Sequence, residues 1–188
     1  MEYALDTSQW EDWKKEYKFG VVLIFPPDPL LSRVNDLRAK YDPKSQAFCD
    51  AHISLTVPLP RKLTDEYWRE LEKTASAIEP FPVKYGPLKH YLPHPGVCLE
   101  IEPQDKLNDL RLALESATVF NGVPERKYPF SAHMTIAEFI TEEQTLLLMD
   151  ELETAAPKGT FYCTNVSYAV PDDNFHFTER LRLALGDH

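Results

Sequence analysis

The feature that most constrains this chain is a short pattern that occurs twice, His-Ile-Ser-Leu at residues 52–55 and His-Met-Thr-Ile at residues 133–136. In each copy a histidine and a hydroxyl residue alternate with two apolar residues. Side chains on a β-strand point alternately to its two faces, so each copy predicts a strand with imidazole and hydroxyl on one face and a core on the other. Such a strand can contact and protonate an anionic oxygen. The rest of the chain decides whether the two strands come together.

The first half of the chain predicts an alternation of strands and helices. Residues 19–25 are a continuous apolar run, which is typical of a strand covered on both faces. Asp28 and Pro29 predict the N-cap and the first position of a helix. The elements that follow are a polar loop at 42–46, the first motif strand at 51–57, a helix at 64–78 and a strand at 83–88.

The second half repeats this order. A capping-box pattern at residues 141–144 opens its last helix, and the turn-rich residues 171–174 predict a closing hairpin. Both halves read β-α-β-α-β, with a motif strand in second place, so the element order is duplicated. The predicted elements are strands at 97–101, 130–140, 161–170 and 175–185, a helix at 104–119 and a loop at 121–129.

The duplication predicts an α+β fold with two lobes, whose antiparallel-rich sheets line a central groove. Two equivalent strands related by a pseudo-twofold axis would line that groove with both histidines. We expect residues 1–17 to form an N-terminal extension with a short helix, because Trp10, Trp13 and Tyr17 have helical spacing. We expect residues 18–188 to form one domain of interwoven lobes, approximately residues 18–95 and 96–188.

Composition limits the setting and the partners. The net charge of −10 disfavours a protein that coats long nucleic acid, but it is compatible with a small phosphorylated substrate or one RNA end. No apolar run approaches the roughly 18 residues that span a bilayer, and the first residues do not have a signal-peptide pattern. The three cysteines have no Cys-x-x-Cys spacing, so we expect neither a disulfide framework nor a zinc knuckle, and a reducing, cytoplasmic setting. We also expect a monomer and no cofactor.

The two motifs resemble the paired His-x-Ser/Thr-x signature of the 2H phosphoesterase superfamily, which contains the 2′-5′ RNA ligase-like proteins and the cyclic nucleotide phosphodiesterases. The resemblance covers residues 18–185 by element order, and only the motifs by residue identity. It implies a two-lobed fold whose groove holds a phosphodiester without a metal. It also implies that His52 and His133 are the acid and base, and that Ser54 and Thr135 bind the phosphate oxygens.

The residue types fit this chemistry independently. Water opens a 2′,3′-cyclic phosphate when a base takes the water proton and an acid protonates the departing ribose oxygen. Two imidazoles can share this work because an unperturbed imidazole titrates near neutrality, at about 6.5. Hydroxyl donors stabilise the charge that builds on the phosphoryl oxygens. The pseudo-symmetry leaves open which histidine is the acid and which is the base.

The interpretation is therefore a metal-independent phosphoesterase, a hydrolase that opens cyclic phosphates or cleaves 2′-linked phosphodiesters of nucleotides or RNA ends. Within the enzymes the alternatives are a 2′,5′-oligoadenylate phosphodiesterase, a 2′-5′ RNA ligase involved in RNA processing and an RNA 3′-end exonuclease. Outside them, the alternative is a nucleotide- or RNA-binding module that retains the fold without catalysis. The physiological substrate stays open, as does the choice between hydrolysis and ligation.

One position departs from the family pattern. Members often carry a basic residue just after the second motif, where this chain has Ala137 and Glu138. A carboxylate beside a phosphate weakens its binding. Either Glu138 faces away from the groove, or the substrate is handled differently.

Other chemically suggestive residues have less specific signals. Tyr168 on the C-terminal hairpin is a candidate for stacking on a base, and equally for packing in the core. His90 and His94 have metal-ligand spacing, but Pro93 lies between them, so we expect loop residues rather than a metal site. Cys49 lies near His52, and we expect a small buried cysteine rather than a nucleophile.

The last predicted strand has a row of polar residues at every second position. We expect them to share one face that is open to water, although the same face could supply local positive charge to a substrate. The residues are His176, Thr178, Arg180 and Arg182.

Overall fold

The computed structural model describes residues 2–91, 94–124, 126 and 128–186 of the 188-residue chain. Within this part, the chain forms eight strands and six helices. The strands are β1 (Val21–Ile24), β2 (Ile53–Ser54), β3 (Phe81–Tyr91), β4 (His94–Glu102), β5 (His133–Ala137), β6 (Gly159–Cys163), β7 (Asn165–Pro171) and β8 (Phe177–Ala184). The helices are α1 (Asp12–Lys15), α2 (Leu30–Tyr41), α3 (Pro43–Phe48), α4 (Asp65–Ser76), α5 (Gln104–Glu115) and α6 (Glu142–Leu152), with 3₁₀ turns at Glu16–Phe19 and Thr118–Phe120.

The strands form one antiparallel sheet in the order β6-β3-β4-β5-β2-β1-β7-β8, which confirms the predicted α+β class. The two motif strands, β2 and β5, are neighbours at its centre, with Ile53 opposite Met134. Outward from this centre, β2-β1-β7 on one side corresponds to β5-β4-β3 on the other. The two lobes are therefore continuous through the motif strands.

The third strand of each half crosses to the other side of the sheet. Strand β3 follows the first motif in the chain but pairs with β4, and β7 follows the second motif but pairs with β1. Each side of the sheet thus contains strands from both halves of the chain. The boundaries at residues 17 and 95 stay predictions, and residues 187 and 188 lie outside the described part.

The apolar residues of the motifs point into the core, as alternation requires. Ile53, Leu55, Met134 and Ile136 are fully buried among residues of the major core. Helices α2, α4 and α6 pack against this face of the sheet, and α5 packs against α4. The imidazoles and hydroxyls of the motifs consequently point to the opposite face, which is the groove.

The N-terminal segment covers part of the groove face. A second apolar cluster there contains Trp10, Val21, Leu23, Phe175 and Phe177. The indole N–H of Trp10 donates to the Asp173 carbonyl over 2.8 Å, which fastens the segment to the β7–β8 turn. The N-terminal segment therefore packs on the groove side of the sheet, beside the cavity over the motifs.

The first motif strand is much shorter than residues 51–57. The backbone amides of both Leu55 and Thr56 donate to one carbonyl, that of Val22, over 3.2 and 3.3 Å. The Thr56 hydroxyl accepts from the Val22 amide over 3.1 Å. Because Leu55 and Thr56 both lie opposite the single residue Val22, the regular pairing of β2 with β1 ends after Ser54.

The predicted loop at 42–46 is wrong, because these residues cap and begin α3. Asp42 is its N-cap and accepts from the Ser45 amide over 3.0 Å, and Pro43 occupies the first turn. At the start of α2 the prediction is displaced by one residue. Pro29 is the N-cap there, while the carboxylate of Asp28 still accepts from the Ser32 amide over 3.2 Å.

Two further strand predictions are corrected by long-range pairing. His90 lies in β3 opposite Val97, and His94 begins β4 opposite Tyr91, so the expected loop is the end of a hairpin; Pro93 lies outside the described residues. The predicted strand at 161–170 is two strands, because β6 pairs with β3 and β7 pairs with β1.

Candidate functional site

The pairing of β2 with β5 brings the four motif side chains together. Ile53 lies opposite Met134, and partners in an antiparallel pair point to the same face. The residues that flank these two therefore form cross-strand pairs on the groove face, with Cβ atoms about 4.5–5.5 Å apart. The pairs are His52 with Thr135 and Ser54 with His133. Each imidazole thus faces the hydroxyl of the other motif.

Both imidazoles are oriented in the same way. Nδ1 of His52 lies 2.6 Å from the Asp50 carbonyl, and Nδ1 of His133 lies 2.8 Å from the Ser131 carbonyl, two residues earlier in each case. A carbonyl oxygen only accepts, so Nδ1 carries a proton and donates it. Each Nε2 is therefore the nitrogen available to a ligand, as a base when the ring is neutral and as an acid when it is cationic.

The environments of the two rings differ. Burial lowers the pKa of His52 to about 4, and the charges of Arg38 and His133 act in the same direction, against the opposing contact with the Asp50 carbonyl. His52 is half-buried, whereas His133 is exposed. An aromatic ring contacts each imidazole edge-on, Phe25 at 6.3 Å from His52 and Tyr91 at 5.8 Å from His133. His52 is consequently neutral at pH 7.

A cavity of about 210 Å³ lies over the motif residues. One of its walls is aromatic, with Trp13, Tyr17, Phe48, Phe139, Phe175 and Phe177. The lining also contains the polar residues Arg38, Ser45 and Glu138. The site therefore combines two imidazoles and two hydroxyls with an apolar surface beside them.

Arg38 stabilises the backbone of the segments that carry the polar residues of this lining. It is buried, and its guanidinium donates to the carbonyls of Thr135, Ser45 and Cys49 over 2.8–2.9 Å. These bonds join α2, α3 and the second motif strand, so most of its donors are already used. Sequence reasoning missed Arg38, although its i, i+4 spacing from Val34 on the apolar face of α2 was an available signal.

Glu138 lines the cavity and does not face away from it. Its carboxylate accepts from the Ser45 hydroxyl over 3.1 Å, and its backbone amide donates to Asp42 over 2.8 Å. The basic residue that is common at this place in the family is thus replaced by a fixed acidic one.

Tyr168 is not available for stacking, and this prediction is wrong. Its side chain is fully buried, and its hydroxyl donates to the Phe19 carbonyl. The reason is strand alternation: Ser167 and Ala169 lie opposite Leu23 and Val21 of the groove-side cluster, so Tyr168 points into the core.

The polar residues near the C-terminus do not share one face. A register shift between Tyr168 and Ala169 places Thr178 opposite Val170 but Arg182 opposite Ser167, which are on different faces. Arg182 pairs with Glu179 over 2.7 Å, so its charge is already compensated. His176 precedes β8, and its Nδ1 lies 2.9 Å from the Ala47 carbonyl.

The remaining candidates are structural in character. Cys49 is buried, and burial raises the pKa of its thiol to about 12, which confirms a packed cysteine rather than a thiolate. His90 and His94 lie on neighbouring strands. In the ranges that the structure describes, no group of three His, Cys, Asp or Glu side chains could hold a metal ion. None of the helices described there is long and apolar enough to cross a bilayer.

Comparison with known proteins places this site in a family. The sequence model of the 2′-5′ RNA ligase superfamily matches residues 26–174, which include both motifs. Curated relatives from Bacillus cytotoxicus and Bacillus cereus, which carry only the provisional name phosphoesterase, are 27% and 28% identical over 167 residues. These alignments cover 87% of this chain and 89% of each relative.

Solved structures share the fold. LigT of Escherichia coli, crystallised with 3′-AMP, superposes with a TM-score of 0.61 at 18% identity, covering 89% of this chain and 97% of LigT. The protein TT0787 of Thermus thermophilus superposes with a TM-score of 0.57 at 15% identity, covering 89% and 98%. With the family match over most of its length, the chain belongs to the 2′-5′ RNA ligase superfamily of 2H phosphoesterases.

Proposed function

We propose that this phosphoesterase hydrolyses 2′,3′-cyclic phosphates of nucleotides or short RNA ends by acid–base catalysis with His52 and His133. The observation that carries the proposal is the matched orientation of the two imidazoles. Each donates from Nδ1 to a backbone carbonyl and so presents Nε2 to the same cavity. Hydrolysis at one phosphorus atom requires a base for the attacking water and an acid for the departing oxygen, and two such nitrogens can supply both.

His52 is the base in this proposal. Its lowered pKa keeps the ring neutral at pH 7, so Nε2 can accept the proton of the attacking water. The more exposed His133 donates a proton to the departing ribose oxygen. Water thus bonds to phosphorus, the bond from phosphorus to one ribose oxygen breaks, and the second imidazole supplies the proton to that oxygen.

Ser54 and Thr135 are the phosphate-binding residues. Each lies across the strand pair from an imidazole, so a phosphate between the imidazoles is within reach of both hydroxyls. Hydroxyl donors at the non-bridging oxygens stabilise the charge that increases as water attacks. Their loss is expected to slow turnover less than the loss of an imidazole.

Glu138 favours a diester over a monoester. A cyclic phosphate carries one negative charge, whereas the monoester product carries nearly two at neutral pH. A carboxylate in the cavity wall repels the product more strongly than the substrate, so it disfavours retention of the product. This charge preference supports diester hydrolysis.

Nucleotide substrates are supported by the ligands named for LigT, which are 3′-AMP, NADP⁺, ATP and phosphate. The net charge of −10 favours small nucleotides and short ends over long RNA. The cavity of about 210 Å³ favours a group of mononucleotide size over an extended strand. The alternatives of 2′,5′-oligoadenylate cleavage, 2′-5′ ligation and 3′-end trimming use the same imidazoles and differ in the substrate that fits.

The test is turnover of the four nucleoside 2′,3′-cyclic monophosphates in EDTA by the wild type, His52→Ala and His133→Ala. We expect metal-independent turnover that falls by a factor on the order of 10²–10⁴ in either variant. His94→Ala, which removes a histidine at the β3–β4 hairpin, is the matched control and should retain full activity. Activity that survives in either motif variant, or that EDTA abolishes, would refute the mechanism. Binding without turnover of cyclic or 2′,5′-linked substrates would favour the non-catalytic module.

A further inference from the structure

Trp13 is an aromatic residue of the cavity that the family pattern does not provide. It lies in α1, ahead of residues 26–174 that match the superfamily. Its side chain is 44% exposed and lines the same cavity as His52 and His133. The N-terminal segment thus adds an open aromatic surface to a site whose other parts come from the duplicated core.

The ring is held in place on several sides. Phe175 contacts it at 5.4 Å, Tyr17 at 6.3 Å and Phe48 at 6.5 Å, all in edge-to-face geometry. Lys14 lies 5.5 Å from its centroid and pairs with Glu11 over 3.2 Å. A ring fixed in this way loses little conformational freedom when a ligand stacks on it.

A second exposed ring lies nearby in the same wall. Phe139 is 43% exposed and contacts Phe48 at 5.9 Å, so Phe48 lies between it and Trp13. The ammonium of Lys44 lies 4.1 Å from the centroid of Phe139, which occupies one face of that ring. Lys14 likewise lies over the ring of Trp13, at 5.5 Å, so each of the two rings has an ammonium beside it. Trp13 is the larger of the two aromatic surfaces.

The chemistry of this wall suits a nucleobase. Bases stack on aromatic side chains through their π-faces with little dependence on base identity. An exposed indole beside a phosphate-sized polar site is the arrangement that a nucleotide requires, with the ester at the imidazoles and the base on the ring. Tyr168, which the sequence offered equally as a stacking or a packing residue, is buried and leaves this role open.

We propose that Trp13 is the base-stacking, specificity-determining residue of this site, which makes nucleoside cyclic phosphates better substrates than cyclic phosphates without a base. This inference rests on the proposed function, since it concerns the other end of the same substrate. It assigns to the N-terminal segment a direct contact with substrate.

The test compares two substrates, adenosine 2′,3′-cyclic phosphate and methyl ribofuranoside 2,3-cyclic phosphate, which lacks the base. Trp13→Ala and Trp13→Leu should lower kcat/KM for the adenosine substrate about 5- to 100-fold, mainly through KM, as expected for one lost stacking contact. The same variants should change the base-free substrate less than twofold. Trp13→Phe should restore most of the preference, and Leu5→Ala, in the same segment and 92% exposed, should change neither substrate.

The base-free substrate also controls for folding, because a misfolded variant loses both activities. Equal loss on both substrates in Trp13→Ala and Trp13→Leu would show a structural role and overturn the inference. Retention of the full preference for adenosine would overturn it as well, and would direct the base to the neighbouring pocket that contains Phe25 and Ser167.

Failure of the proposed function has a different signature. If the wild type hydrolyses neither substrate, calorimetric binding of adenosine 2′-monophosphate and of methyl ribofuranoside 2-phosphate still measures the stacking contact. Weakening of the adenosine ligand alone in Trp13→Ala supports the subsite without catalysis. Unchanged or equally weakened binding of both ligands overturns it.

Discussion

The two histidines of the motifs share a geometry but not an environment. Each Nδ1 donates to the carbonyl two residues earlier, so strand geometry sets the same tautomer in both. Burial then lowers the pKa of His52, and this asymmetry is a property of the surrounding residues rather than of the motif. The sequence therefore predicted the pair of histidines, but the difference between their surroundings is seen only in the structure.

The lowered pKa of His52 makes a prediction about pH. A base must be neutral to act, so the acidic limb of kcat/KM should lie at the pKa of about 4 that His52 has in the free enzyme. An ordinary imidazole would place this acidic limb near about 6.5. We expect kcat/KM for a nucleoside 2′,3′-cyclic phosphate not to fall as pH is lowered from about 6.5 to 5, measured at constant ionic strength. A tenfold fall per pH unit below about 6.5 would contradict the assignment of His52 as the base.

Glu138 makes a prediction about product inhibition. Glu138→Gln removes one negative charge from the cavity wall and keeps the size of the side chain. The inhibition constant of the nucleoside monophosphate product should fall roughly 3- to 10-fold, because a dianion gains more than a monoanion when a like charge is removed. KM for the cyclic diester should fall less.

Glu143→Gln, an exposed residue in the first turn of α6, is a matched control for net charge. Equal changes in both constants for Glu138→Gln, or a change as large in the control, would show that Glu138 does not discriminate between diester and monoester.

At the scale of elements, local signals predicted the order of strands and helices but not their partners. Alternation in residues 52–55 and 133–136 predicted which side chains are buried, and the capping box at Thr141 predicted the start of α6. Three features depend on pairing with strands that are distant in sequence. These are the short length of β2, the pairing of β3 and β7 with strands of the other half, and the break at Thr164 between β6 and β7. Periodicity carries no information about such partners.

Asp42 links the elements around the site and makes a prediction about stability. Its buried carboxylate accepts from the Ser45 amide at the start of α3 and from the amides of Glu138 and Phe139 after β5, over 2.8–3.1 Å. Asp42→Asn turns an NH₂ donor toward at least one of these three amides and leaves that amide unpaired. The free energy of unfolding in urea should fall by about 2–3 kcal/mol.

Asp28→Asn is the control for this change, because Asp28 makes a similar cap at an exposed position. Asp28→Asn should lower the free energy of unfolding by less than about 1 kcal/mol. A loss in Asp42→Asn no larger than in the control would show that α3 and the loop after β5 are held by other contacts.

At the scale of the whole molecule, the chain carries a net charge of −10. Because a chain with a net charge of −10 releases few counterions from a polyanion, long RNA gains little from contacts outside the site. We expect a 30-nucleotide RNA with an unmodified 3′ end to bind more weakly than about 10⁻⁴ M at physiological salt in a mobility-shift assay. Micromolar binding of this RNA with a steep salt dependence would show a continuous positively charged surface outside the site and would contradict this account.

The central claim, that one imidazole is the base and the other the acid, is tested most directly by changing the leaving group. A p-nitrophenyl phosphodiester of a nucleoside departs as a stable phenolate and needs no acid, whereas a cyclic phosphate requires protonation of a ribose oxygen. His133→Ala should lose a factor on the order of 10²–10⁴ on the cyclic phosphate and less than about 10 on the p-nitrophenyl ester, while His52→Ala should lose activity on both. Equal losses of the two variants on both esters would contradict the assigned division of labour between His52 and His133.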